Sequence, residues 1–282
     1  MSTPELTFGF PDEWNSFRNR NALFLERFQN LEQAFEIAYT REFSAVEPID
    51  RFVMMFGRLC SEDFFEILVL CGNGYGTAAS RLLRSLWEKA VTLEHLDAHP
   101  EDLQDFFDYH HVAQKKLYAS IRDVLGGNVI PPHIVAENDA EFERVKEKFM
   151  ITKCETCDTK RLNHTWNKLD IVSMAKKTRL LGKIINEAYY VPMANTHSTI
   201  FSLIQRMEET SSGSIGFNPD LQPKNADNTL RVAHLIELEI LKTQNGRYKL
   251  PGLEEQIEKC EKDWLQIYGA KKDPSDGGQR SD

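Results

Sequence analysis

The 282-residue chain has only five cysteines, an odd number, so they cannot all pair within it. A chain this long can also bury a core without staples, and together these readings point to a reduced, cytoplasmic protein. Long apolar runs are missing. None reaches the roughly 18 residues that a membrane span needs, which excludes a helical membrane protein. The opening MSTPELTFGFPDEW lacks the basic start and apolar core of a secretion signal. Period-two alternation is scarce: residues 247–250 are one short extended candidate, and no repeat recurs at a fixed period, so neither a large sheet nor a solenoid is expected. Nucleophile motifs are absent. Ser214 in SSGSIG lacks the first Gly of G-x-S-x-G, and no Cys stands in a recognisable catalytic context.

What remains is a globular composition, 41% hydrophobic and 27% charged, arranged helix after helix. Apolar spacing predicts helices over 17–43, 49–59, 64–71, 77–97, 100–125, 137–149, 166–188, 195–209, 227–243 and 252–268. Ser61, followed by Glu62 and Asp63, reads as a cap between the second and third of these. Gly126-Gly127 ends one helix and Pro131-Pro132 precedes another. Residues 151–165 and the Ser/Gly/Pro/Asn-rich stretch 210–225 read as loops. The expectation is an all-α bundle of eight to ten helices: an N-terminal helical segment 1–47, a bundle 48–268 and a disordered tail 269–282.

Charge is unevenly placed. Residues 144–183 carry eleven Lys/Arg against four acids, a balance of +7, so the remainder of a chain with net charge −9 carries −16. Residues 86–110 hold seven acids and one Lys. A basic block is a candidate surface for a nucleic acid or another anionic ligand; the competing reading is that the two blocks face each other or are solvated. A homo-oligomer stays open as a further partner.

Three chemical motifs fall short. Gly72, Gly74 and Gly76 resemble a dinucleotide-binding turn, but Thr77 occupies the third glycine position, no acid-ended second strand follows, and no Lys makes it a P-loop. His95 and His99 are i,i+4, but Pro100 draws His99 out of helical geometry and no Glu stands beside the first His. Cys154 and Cys157 make half a zinc site without a partner pair. No metal site and no particular cofactor is assigned.

Over residues 79–96, Ala79, Leu82, Leu83, Leu86, Ala90, Leu93 and Leu96 share one face. Arg81, Arg84, Glu88, Thr92 and His95 gather on the other, with Arg84 and Glu88 spaced to pair. This stretch, AASRLLRSLWEKAVTLEHL, and the later YYVPMANTHS resemble the bacterial domain-of-unknown-function family 5677 over roughly residues 50–240. The resemblance implies an all-helical fold and no established activity. It places Arg84 and Glu88 beside a later segment carrying Tyr190, Asn195, His197 and Ser198. Arg84, Glu88 and His197 are then the candidate catalytic or structural trio, and Arg81, Tyr190, Asn195 and Ser198 the candidate ligand contacts.

Three functions compete: a binding or interaction module built on this polar seam; a nuclease-like or phosphate-handling enzyme of defence or toxin type using His197 and Arg84; and a metal-dependent enzyme using Glu88 with His95 or His197. Helical toxin and defence ribonucleases place an Arg four to six residues before a His on one helix. None of the eight His here follows an Arg at that spacing. The missing motifs favour the binding module.

Overall fold

Helical spacing becomes helix along most of the chain, and the fold is all-α. The computed structural model describes residues 10–42, 47–127, 129–152, 159–196, 200–204, 207–209, 213–217 and 222–269. Among these run α1 (Pro11–Arg20), α2 (Ala22–Tyr39), α3 (Pro48–Gly72), α4 (Gly76–Ala98), α5 (Leu103–Leu125), α6 (Pro132–Val145), the short α7 (Ile171–Ala175), α8 (Val191–Thr196) and α9 (Ile200–Ile204), then α10 (Pro223–Tyr248) and α11 (Leu253–Tyr268). Extended structure among the described residues is confined to two small antiparallel pairs. They are β1 (Met150–Thr152) with β2 (Lys160–Leu162), and β3 (Met207–Glu209) with β4 (Ile215–Phe217).

Two compact units form. The first takes the chain up to Asp97 and from Ala175 onward; the second is Ala98–Met174. In the first unit α3 packs along α10, α2 along α11, and α10 also meets α11. Pro48 starts α3 inside a reciprocal cap in which the Glu47 N–H donates to Asp50 Oδ2 at 3.2 Å. Phe24 and Phe35 of α2, Phe64 and Ile67 of α3, Leu83 and Trp87 of α4, Leu230 and Ile236 of α10 and Ile257 of α11 are buried together in its interior. The α3–α10 approach is close enough to demand Gly57. A Cβ there would meet the Gln244 amide and stand 2.9 Å from the Tyr39 hydroxyl.

The Ser61 cap does not form. α3 runs unbroken through it, and the Ser61 hydroxyl turns back to the Gly57 carbonyl, 3.3 Å away, and to Glu237 on α10. A serine with a carbonyl four residues back satisfies itself without ending the helix. The glycine turn at Gly72–Gly76 is an inter-helix connection, with Gly74 at φ +72°.

The second unit packs α5 on α6 around Val112, Val145 and Phe149, flanked by Tyr109, Phe142 and Leu162. The stretch 151–165, expected as loop, contains the β1–β2 hairpin. Its three-residue strands are too short to show a period in sequence. Residues 166–188 do not make one helix either. α7 ends at Ala175, where the Thr178 hydroxyl takes the Ala175 carbonyl at 2.7 Å and then accepts the Gly182 N–H. A local side-chain bond of this kind competes with helix propagation.

Candidate functional site

The polar face of α4 meets the turn that leads into α8. Arg81 Nε donates to the Asn195 carbonyl at 2.9 Å. Arg84 Nε donates to Glu88 Oε1 at 2.8 Å, and its guanidinium lies over the Tyr189 ring, 4.8 Å from the centroid. Trp87 also packs on Tyr189, with ring centroids 5.1 Å apart, and its Nε1 donates to the Leu181 carbonyl at 3.0 Å. Tyr190, in edge contact with Tyr189, is 43% exposed. An arginine stacked on an aromatic and hydrogen-bonded through Nε to a carboxylate is held in one orientation, with its terminal N–H groups not engaged by that carboxylate.

Local sequence explains how the tyrosines reach α4. Residues Asn186–Tyr190 form a π-helical turn, and Pro192 follows. Proline has no N–H for the carbonyl four residues back, so an α-helical ladder cannot close through Ala188. The wider turn accommodates this and re-aims Tyr189 and Tyr190. Such π turns recur at functional positions. Glu187 on the same turn is ion-paired with Arg231 of α10.

The structure therefore brings Arg81, Arg84, Glu88, Tyr190 and Asn195 to one neighbourhood. His197 and Ser198 lie outside the described residues, as do Cys154 and Cys157. The Arg84 and Glu88 side chains are 23% and 39% exposed, so the pair is a half-solvated seam and not a buried one. Asn195 is buried, and among the described residues its Oδ1 accepts no hydrogen bond. Its backbone carbonyl, by contrast, is engaged by Arg81. Tyr189, central to the arrangement, stands first in the family-like stretch YYVPMANTHS but was not among the candidate residues.

The basic block is partly answered by the acidic one. Asp108 is buried and accepts Lys148 Nζ at 2.6 Å and Arg144 at 3.3 Å. Those hydrogen bonds outweigh its desolvation and hold its carboxyl below the usual range. Lys148 also reaches Asp105, and Lys146 pairs with Glu143. Among the described residues no three His, Cys, Asp or Glu side chains gather as metal ligands. His95 is buried in α4, and His99 stands 3.4 Å from Glu101.

Sequence reasoning also missed a polar interior. Glu237 of α10 is fully buried; burial, opposed by the Ser61 hydroxyl and reinforced by Asp63, pushes its carboxyl up to about 8. His234, one turn earlier, is packed between Phe24, Phe64 and Tyr268, and burial pulls it down to about 4. Near the surface Glu94 is raised to about 7 by burial and by Glu239. Acids and a His inside the otherwise apolar run VAHLIELEIL were the available signal.

In comparison with known proteins, the model of a family of unknown function, DUF5677, matches residues 52–215, more than half of the chain. No curated protein and no solved structure matches. The matched stretch holds the whole α4–Tyr189–Asn195 arrangement and stops short of α10 and α11.

Proposed function

The chain belongs to the DUF5677 family, and from that premise we propose that it is a helical binding module whose ligand face is the seam of Arg81, Arg84, Glu88, Tyr190 and Asn195, with His197 and Ser198 on the adjoining segment. The observation that carries this is the guanidinium of Arg84, fixed between Glu88 and the Tyr189 ring and still partly open to solvent. Two arginines one turn apart beside an exposed tyrosine suit a ligand that combines a negative charge with a flat ring. Single-stranded nucleic acid has that chemistry. No described helix is long and apolar enough to cross a membrane. Cys60, Cys71 and Cys260 are free, buried thiols, and these thiols support a reducing, cytoplasmic setting.

A short fluorescein-labelled single-stranded RNA tests the reading by anisotropy. Wild type is expected to bind with an affinity that falls as salt rises, and Arg84→Ala to bind at least about tenfold more weakly. Equal binding by the two proteins, or none by wild type, contradicts it. A phosphate-handling enzyme using Arg84 and His197 is the second reading, favoured by the accessible arginine pair. Cleavage of the RNA by wild type and not by His197→Ala would select it over the binding module.

A further inference from the structure

A groove of about 410 Å³ runs along α10 and α11, bounded by residues 179–183. Its size is that of a site for one small molecule. Its floor is apolar: Leu180, Leu235, Leu238, Trp264 and Leu265. Leu265 is strongly exposed there, and the Trp264 indole N–H is already satisfied by the Arg231 carbonyl at 3.2 Å, so the ring offers the groove its apolar surface.

The charges around that floor do not cancel. Lys242 Nζ sits 2.5 Å from both Glu239 and Glu261, a closed triad that leaves one negative charge over. Against it stand Arg179 and Lys183. Arg179 is 76% exposed and reaches Glu239 only at 3.7 Å. Lys183 lines the groove, and no ion pair to it stands among the described residues. The groove lining therefore carries a net positive charge, concentrated on two exposed cations, and Glu239, the acid that pairs with Arg179, is already held by Lys242. Beyond the wall of Arg179, Glu239 and Lys242 lies a second space of about 370 Å³, lined by Glu94, Asp97, Thr243 and Gly246. Its acids repel an anion, which fixes the direction in which one would lie.

We propose that this groove binds a small amphipathic anion, a carboxylate or sulfonate on a compact apolar body, with the body on Trp264 and the leucines and the head group between Arg179 and Lys183. The site is separate from the α4 seam and does not depend on its function. Burial of the body supplies the affinity, and the two cations supply the sign preference. A volume of about 410 Å³ suits a small molecule rather than a partner helix, whose apolar stripe would need a longer trough.

Anilinonaphthalene sulfonate is a suitable probe because its fluorescence rises in an apolar site, and decanoate and decylamine are its competitors. Wild type should bind the dye saturably at one site, with quenching of tryptophan emission that is lost in Trp264→Phe. Decanoate should displace the dye and decylamine should not. Both Arg179→Ala/Lys183→Ala and Lys183→Glu should weaken dye binding by about tenfold or more, with melting temperatures close to wild type because both side chains are exposed. Dye binding that is unchanged in both variants, equal displacement by the amine, or no saturable binding overturns the proposal. Displacement by an acidic amphipathic peptide and not by decanoate also overturns it, in favour of a protein partner.

Discussion

Glu237→Gln isolates a buried carboxyl inside the first unit. Glu237 is fully buried and keeps its proton to about pH 8, whereas an unfolded glutamate releases it near its ordinary value of 4.5. Between those values the folded chain binds a proton that the unfolded chain has lost, so stability falls as pH rises and the loss is complete above about 8. At about 1.4 kcal/mol per pH unit the interval sets an upper bound of about 5 kcal/mol. Relaxation and water penetration reduce this, and about 2–4 kcal/mol is expected. Glutamine has the shape of the neutral acid and can keep the Ser61 contact, 3.4 Å in wild type. Urea unfolding of both proteins at about pH 5 and about pH 8.5 reads the difference. Glu94, raised to about 7, titrates in both proteins and drops out of the comparison. The variant's advantage over wild type should grow by about 2–4 kcal/mol between the two conditions. An advantage that stays flat would mean that Glu237 is ionised in the folded chain and that the reading of this interior is wrong.

Acid should act through a different residue. His234 is held neutral to about pH 4 against an ordinary value of 6.5, so stability should fall as pH drops through that interval. His234→Phe should remove most of the fall in a pH series of melting temperatures. Gly57→Ala should cost about 1–3 kcal/mol in urea unfolding, because its methyl group would press on the Gln244 amide and the Tyr39 hydroxyl. Glu88→Ala should cost less than about 1 kcal/mol, since its pair with Arg84 is half-solvated. Trp87→Ala, by contrast, should cost about 3–5 kcal/mol, because its ring is fully buried. If Glu88→Ala proves the costlier of the two, the seam is structural.

The long helices were legible because their apolar stripes span several turns and are bounded by signals such as Gly126 after α5 and Pro48 at the start of α3. Legibility failed where a tertiary contact outvoted a local signal. Ser61 reads as a cap and is instead engaged by Gly57 and Glu237, the second of which is 176 residues away. The apolar pattern of 166–188 suggests one helix. Gly182 tucks against the Ala175 carbonyl so closely that a Cβ would stand 2.5 Å from it, and the chain turns there. At the seam, Arg84 and Glu88 were readable from their spacing, and Asn195 and Tyr190 from the family resemblance. The stacking of Arg84 on Tyr189 was not readable, because it depends on a π turn. The groove joins residues as distant as Arg179 and Leu265, whose charges and apolar side chains look solvated when read along the chain.

The central claim is that the seam binds and does not merely hold the helices together. Affinity for the labelled single-stranded RNA and melting temperature, measured side by side for wild type, Arg84→Ala and Tyr190→Ala, test it most directly. The account predicts that both variants lose about tenfold or more in affinity while melting within a few degrees of wild type. Variants that melt much earlier yet bind the RNA as wild type does would contradict it.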